Sequence, residues 1–146
     1  MIPRVIGHHF IPTTDPDANV KWKLRKINSL VQRGVRSPYI YALTRKILAR
    51  RGVASKDDLG EIRAIHDAVL KRVRYQADPV APGVSSPWGG FPPKHIEGFS
   101  DPESIWRLFQ GEDCDGLTAL DGAMYASAGF PVLLKAVGPQ LTRGYG

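Results

Sequence analysis

The chain has one cysteine, Cys114, which stands where a helical pattern begins, inside the acidic segment 111–116. A thiol at a helix N-terminus lies at the positive end of the helix dipole, where backbone N–H groups stabilise a thiolate or the oxyanion of an attacked carbonyl. The carboxylates of Glu112, Asp113 and Asp115 oppose a further negative charge there. Asp113 is also a candidate N-cap for the same N–H groups.

Two interpretations of Cys114 follow from the residues alone. In the first, it is a nucleophile for acyl transfer, which requires an imidazolium within hydrogen-bond reach to offset the carboxylates. In the second, it is a packed residue, since a cysteine on a helix with an apolar stripe of leucine and methionine is commonly buried. The residues by themselves leave both interpretations open.

Apolar spacing and capping residues predict four helices that position this cysteine. Apolar residues recur at helical intervals in each of them, and Pro38 suits a first helical position. The second helix is expected to begin at an N-cap, Ser55, and to carry an apolar stripe along one face. The predicted helices cover residues 37–52, 55–73, 101–109 and 113–129, and the stripe comprises Leu59, Ile62, Ile65, Val69 and Val73.

Strand patterns are few. Residues 132–137 form the clearest one, residues 2–6 form a weaker one, and residues 79–100 are a loop with five prolines and four glycines. One strand with weak partners does not make a stable sheet, and its edges would be unpaired. We therefore expect further strands to come from residues beyond 146 or from another chain.

Several motifs occur in an order and spacing that resemble the transglutaminase-like superfamily. They are Val-Arg-Tyr at 73–75, Asp-Pro at 78–79 and at 101–102, Asp-Cys-Asp at 113–115 and Ala-Gly-Phe-Pro-Val at 128–132. The resemblance covers residues 37–137 and is greatest to the small transglutaminase-like proteins of tailed bacteriophages and prophages. The chain departs from the family's Gly-Asp-Cys-Asp run by the insertion of Glu112.

The resemblance implies an α+β, papain-like fold, in which N-terminal helices and the cysteine helix pack on an antiparallel sheet. It also implies a Cys-His-Asp triad for acyl transfer, used in proteolysis, amide hydrolysis or cross-linking, with no cofactor and no metal. Only Cys114 of that triad has a counterpart here, and the histidine and aspartate are expected beyond residue 146.

The histidines of the chain all precede Cys114 in sequence. They are His8, His9, His66 and His95. His66 is expected to be a partly buried structural residue on the second helix. His95, in the loop, is a candidate to swing towards the thiol, and His8 and His9 lack the partner spacing of a metal site.

Positive charge is concentrated in the first half of the chain. Residues 1–74 hold 16 basic and 6 acidic side chains, whereas residues 75–146 hold 4 and 8. The basic residues are compatible with three interpretations: a face exposed to solvent, a contact with an acidic protein surface, or a contact with nucleic-acid phosphates. No nucleic-acid-binding motif accompanies it.

The 146 residues, 42% of them hydrophobic, suffice for one folded domain. No apolar run reaches the roughly 18–20 residues that a membrane span needs. We expect an extended, basic N-terminal arm over residues 1–36 and a transglutaminase-like core over residues 37–146.

The resemblance leaves two functions open. The chain is either a phage-encoded cysteine acyl transferase or hydrolase with Cys114 as nucleophile, or a catalytically inactive virion assembly protein. Either function implies protein partners, among them virion proteins or a strand-donating neighbour. Either also implies a location in the host cytoplasm or the virion.

Overall fold

The computed structural model describes residues 5–9, 16–75, 97–108, 111–112 and 114–136. Five helices account for most of these residues, and the four strands are short. In chain order the elements are β1 (Val5–His9), α1 (Pro16–Val35), α2 (Pro38–Arg50), α3 (Asp58–Arg72), β2 (Arg74–Tyr75), β3 (Glu97–Ser100), α4 (Pro102–Leu108), β4 (Gly111–Glu112) and α5 (Cys114–Ser127). None of these helices combines the length and the apolarity that crossing a bilayer requires.

Helix α5 lies at the centre and contacts α1, α2, α3 and α4. Its residues Leu120 and Met124 are fully buried in one cluster with Ile40 of α2, Ile65 of α3 and Ile105 of α4. A second buried cluster joins α1 to α5 and consists of Ile27, Leu30, Val31 and Ala119. Removal of this apolar surface from water is the main favourable term that holds the helices together.

The backbones of α1 and α5 approach closely because small residues meet where the two helices touch. A Cβ on Gly34 of α1 would lie 2.5 Å from the Cβ of Ala123 and 2.8 Å from the Cγ of Pro102. A Cβ on Gly122 of α5 would lie 2.9 Å from a methyl group of Val31. These distances are shorter than ordinary van der Waals contacts, so the two glycines determine how closely the helices pack.

Residues 16–35 form α1, so the expectation of an extended arm is wrong for this part of the chain. The apolar residues of α1 recur at helical spacing: Val20, Leu24, Ile27, Leu30 and Val31. Basic residues stand between them in the sequence and obscure the stripe. Burial of Ile27 and Val31 against α5 supplies the stability, because packing of an apolar face contributes more to a helix than propensity does.

Helix α2 begins and ends where the sequence predicts. The hydroxyl of Ser37 is its N-cap, accepting from the Ile40 N–H at 3.3 Å and donating to Glu103 Oε2 of α4 at 3.0 Å. Pro38 occupies the first turn. The chain leaves the helix through Gly52, whose φ of 62° favours glycine. Both predicted ends are confirmed.

Helix α3 begins later than predicted. Its N-cap is Asp57, whose carboxylate accepts from the N–H of Gly60 at 3.1 Å, so the prediction of Ser55 as the cap is wrong. Lys56 has a φ of 67°, and this left-handed turn places Asp57 at the helix start. Of the predicted stripe, Ile65, Val69 and Val73 are buried, whereas Leu59 and Ile62 are exposed. The stripe prediction therefore holds for the second half of the helix.

The predicted α+β fold with an antiparallel sheet is wrong. The part of the chain that the structure describes is mostly helical. Its strands form two separate pairs, β1 with β3 antiparallel and β2 with β4 parallel, and the second pair is two residues long. The helices therefore pack on one another around α5 and not on a sheet.

The strand predicted at 132–137 is absent over residues 132–136, and residue 137 lies outside the described residues. Burial nevertheless alternates along this segment: Val132, Leu134 and Ala136 are partly buried, and Leu133 and Lys135 are exposed. Leu134 packs against the cluster between α1 and α5. The apolar alternation of the sequence is thus satisfied by contact with helices, which is why it does not require a sheet.

Replacement of Gly34 by alanine is expected to destabilise the protein by about 1–3 kcal/mol, since the new methyl group overpacks the contact with Ala123 and Pro102. Helix propensity alone predicts the opposite sign, because alanine is favoured over glycine by about 1 kcal/mol inside a helix. Denaturant unfolding of the parent and the variant measures the difference in the free energy of unfolding.

Ser29→Ala is the control for this change, since Ser29 is exposed on the same helix. It is expected to alter the free energy of unfolding by less than about 0.5 kcal/mol. A Gly34→Ala variant as stable as the parent would show that α1 and α5 do not pack this closely.

Candidate functional site

Cys114 is the first residue of α5, and it is exposed. Of the 14 residues of this helix, all of which the structure describes, Cys114 and Thr118 are the exposed ones. They are four positions apart and therefore neighbours on one side of the helix. The thiol of Cys114 donates to Asp115 Oδ1, with Sγ and Oδ1 3.7 Å apart. This exposure does not fit the interpretation of Cys114 as a packed core residue.

Strand β4 leads into α5, and it pairs with β2, the short strand that follows α3. Strand β2 follows α3 after one residue and pairs with β4 in parallel. The register places Arg74 opposite Gly111 and Tyr75 opposite Glu112. Two of the residues that carry the transglutaminase-like resemblance thus lie beside the segment that leads to Cys114.

A second polar feature lies between α3 and α5. Nδ1 of His66 on α3 is 3.0 Å from Oδ2 of Asp121 on α5. The His66 side chain is 49% exposed, whereas that of Asp121 is 19% exposed. The other oxygen, Asp121 Oδ1, is buried and has no hydrogen-bond partner among the described residues. His66 is therefore half-exposed, and its hydrogen bond to Asp121 joins α3 to α5. The sequence alone did not indicate Asp121 as its partner.

Two side chains of α5, Asp121 and Tyr125, have raised pKa values. Burial raises the pKa of Asp121 above its ordinary 3.8, and the hydrogen bond and charge of His66 offset part of the rise. Tyr125 follows one turn later on α5, and its pKa is raised to about 12, first by burial and second by the charge of Asp121. Burial of each group is the main cause of its own shift, and the charge of Asp121 adds to the shift of Tyr125.

The His66–Asp121 pair is separate from the thiol along α5. Asp121 follows Cys114 by seven residues, which is roughly 10 Å along a helix axis. Of the other residues considered from sequence, Asp113, His95 and the side chains of His8 and His9 lie outside the described part of the structure. Among the residues that are described, no group of three or more His, Cys, Asp or Glu is placed to hold a metal ion.

A cavity of about 160 Å³ lies beside the start of α5, between this helix, α1 and residues 134–136. Its apolar lining comes from Val20, Leu24 and Ile27 of α1 and from Leu134 and Ala136 of the segment. Asp115 and Thr118 line it from α5. The cavity therefore opens beside the residues next to Cys114.

The basic residues that suit an anionic partner lie largely on exposed positions of α1 and α2. Some of them are engaged within the chain. Arg51 forms an ion pair with Asp67 at 2.5 Å, and the Arg45 guanidinium lies 5.2 Å from the centre of the Tyr41 ring. Contact with nucleic acid or with an acidic protein stays a prediction.

Comparison of the chain with protein-family models, with curated proteins and with solved structures finds no match. The transglutaminase-like resemblance therefore rests on the sequence motifs alone.

Replacement of Asp121 by asparagine is expected to stabilise the protein relative to the parent as the pH rises. Because the pKa of this carboxyl is raised on folding, the folded state binds its proton more tightly than the unfolded state does. The parent therefore loses stability as the pH rises from 3.8 through the raised pKa, and the amide does not titrate. Denaturant unfolding of both proteins over this pH range measures the difference.

Asp58→Asn is the matched control, since Asp58 is exposed in the first turn of α3. An exposed substitution of this kind is expected to alter the free energy of unfolding by less than about 0.5 kcal/mol. Ultraviolet titration of tyrosine provides a second measurement. In Asp121→Asn the pKa of Tyr125 is expected to fall below about 12 and, because burial persists, to stay above 10. A stability difference that does not grow with pH would contradict the raised pKa of Asp121.

Proposed function

We propose that the chain carries a cysteine acyl-transfer site of the transglutaminase-like kind, with Cys114 as the nucleophile. The observation that supports this most is the exposed thiol on the first residue of a 14-residue helix. In this reaction the sulfur bonds to an acyl carbon and the amine or alcohol leaves with a proton. Water or an amine then attacks the thioester and releases the thiol.

The position of Cys114 favours the ionised forms that this chemistry needs. The N-terminal end of α5 carries the positive end of the helix dipole, which stabilises a thiolate and the oxyanion of a tetrahedral intermediate. Cys114 and Thr118 are the exposed residues of α5, so an acyl group approaches the thiol from this side. The parallel pairing of β2 with β4 fixes the backbone just before the thiol.

Asp115 opposes this activation. Its Oδ1 is 3.7 Å from Sγ and accepts the thiol proton in a hydrogen bond, but a carboxylate is too weak a base to hold that proton. An imidazole is needed, and His66 is hydrogen-bonded to Asp121. The proposal therefore requires a histidine that lies outside the described residues.

A second proposal is that the chain is a catalytically inactive phage assembly protein. The segment 132–136 favours it, since burial alternates along the segment and it pairs with none of the described strands. Leu133 in this segment is 91% exposed. A strand from a neighbouring chain that paired here would satisfy the backbone groups and cover this side chain.

Acylation of Cys114 by p-nitrophenyl acetate tests the first proposal, since the chain has a single thiol. We expect Cys114 to be acetylated faster than N-acetylcysteine at the same pH, and methylamine to remove the acetyl group. Asp115→Asn is expected to raise the rate by roughly fivefold at pH values where the thiol is protonated. This is the factor for about 1 kcal/mol, the energy of two unit charges ~4 Å apart in water. Release of p-nitrophenolate and mass spectrometry of the protein measure both steps.

Cys114→Ser identifies the site of acylation, because it removes the nucleophile and should abolish the modification. Asp58→Asn removes an acid from the first turn of a different helix and should leave the rate unchanged. Acetylation no faster than that of N-acetylcysteine would contradict the catalytic proposal and favour the structural one.

A further inference from the structure

The exposed face of α1 is polar throughout and rich in basic residues. Each exposed side chain between residues 20 and 36 is basic, an amide or a hydroxyl. Most of them recur at intervals of three or four residues, so they lie along one side of the helix, opposite the buried Ile27 and Val31. We call this set the α1 polar face; it consists of Lys21, Arg25, Asn28, Ser29, Gln32 and Arg36.

The positive charges of the α1 polar face are available to an external partner. Residues 18–56 contain no aspartate or glutamate. Among the described residues, no ion pair or ring contact involves the side chains of Lys21, Arg25 or Arg36. Arg33 is exposed as well, but it shares a pocket with two carboxylates and is therefore not counted in the face. The face thus carries three positive charges and attracts a negatively charged surface.

The α1 polar face has the dimensions of an element that enters the major groove of B-DNA. The N–H of Arg36 donates to the Gln32 carbonyl at 3.3 Å and so continues the helical pattern beyond Val35. From Lys21 to Arg36 the face is roughly 22 Å long. An α-helix with its side chains is about 10–12 Å across, and the major groove is about 12 Å wide.

The order of side chains along the face suits contacts with both phosphates and bases. Asn28 and Gln32 are one turn apart, between Arg25 and Arg36. Lysine and arginine bind phosphates, whereas asparagine and glutamine form two hydrogen bonds with the edge of adenine in the major groove. The amides are therefore placed for base edges and the cations on either side of them for the backbone.

Other anionic partners fit the α1 polar face less well. The centre of a protein interface is enriched in aromatic residues and methionine, and the face contains none of these. Single-stranded nucleic acids stack their bases on aromatic side chains, which are likewise absent from the face. Double-stranded RNA has a major groove that is too narrow for side chains to read. Double-stranded DNA is the anion that matches both the charge and the shape.

We propose that the α1 polar face binds double-stranded DNA in the major groove. Lys21, Arg25 and Arg36 contact phosphates, and Asn28 and Gln32 face the base edges. The opposite side of α1 is packed against α5, so the DNA meets a helix that the core already holds in place. This inference does not depend on the chemistry proposed for the thiol.

The salt dependence of binding tests the phosphate contacts. The full chain is titrated into a fluorescently labelled DNA duplex of mixed sequence and about two helical turns, and anisotropy gives the affinity. Three phosphate contacts predict a slope of about −2.7 or steeper for log K against log salt concentration, which is a loss of roughly fortyfold between about 50 and 200 mM salt. Arg25→Gln is expected to make this slope less steep by about 0.9.

Two substitutions on α3 are the matched controls, because they remove the same charge from exposed positions on a different helix. They are Arg63→Gln and Lys71→Gln, and both should leave the slope as in the parent. If they reduce it as much as Arg25→Gln does, the attraction belongs to the overall charge of the chain and the proposal is overturned.

Competition with other polyanions tests the choice of partner. Unlabelled duplex DNA, duplex RNA of the same sequence, single-stranded DNA and polyglutamate each compete with the labelled duplex, at equal concentrations of negative charge. Duplex DNA is expected to displace the label at the lowest concentration. Equal displacement by polyglutamate would indicate an acidic protein surface and overturn the proposal, and equal displacement by either other nucleic acid would overturn the placement in the major groove.

The contacts of the two amides are tested with a pool of random-sequence duplexes. Repeated selection by the parent is expected to enrich a sequence that contains adenine. Asn28→Ala and Gln32→Ala should each bind the enriched duplex roughly fivefold or more weakly than the parent, with an unchanged salt slope. Ser55→Ala, an exposed uncharged change before α3, should bind as the parent does. A pool without enrichment, or equal affinity in the two amide variants, would overturn the placement of these residues at the base edges.

Discussion

The close contact of α1 with α5 is the constraint on which the other features of the structure depend. Gly34 meets Ala123, and Gly122 meets Val31, at distances that leave no room for a further methyl group. With α1 against one side of α5 and α2, α3 and α4 against the others, nearly the whole circumference of this helix is covered. The side that stays open carries Cys114. Packing of small residues therefore determines where the thiol faces solvent.

The two aspartates of α5, Asp115 and Asp121, have different effects because one lies at the start of the helix and the other lies between helices. Asp115 lies at the start of the helix, beside the thiol and the cavity, where its charge acts on Cys114 and on any ligand. Asp121 lies between helices, where burial favours its protonated form and His66 favours its ionised form. The first acid therefore affects reactivity, and the second affects the stability of the contact between α3 and α5.

Local features of the sequence predicted the elements that depend on local interactions. Ser37 and Gly52 mark the ends of α2 because a cap and a left-handed glycine act within a few residues. The stripe of α1 is hard to recognise in the sequence because lysines and arginines separate its apolar residues. The alternation at 132–136 was assigned to a sheet because a period of two shows that alternate side chains are covered but not what covers them.

Local sequence features also predicted part of the candidate site. The thiol at a helix start follows from the turn and the apolar stripe around Cys114, which are close in sequence. The partnership of His66 with Asp121 joins residues 55 positions apart, and no short motif specifies it. The cavity requires α1, α5 and the segment after α5 to meet, which only the folded chain shows.

The hydroxyl of Ser37 limits which residues that position tolerates. It accepts a hydrogen bond from the Ile40 N–H and donates one to Glu103. Aspartate is as good a helix cap as serine in general, but here it would set a second carboxylate against Glu103. Asparagine accepts through Oδ1 and donates through Nδ2, so no single atom of its side chain makes both bonds. Threonine retains a hydroxyl on the β-carbon, so among homologous sequences this site is expected to vary between serine and threonine alone.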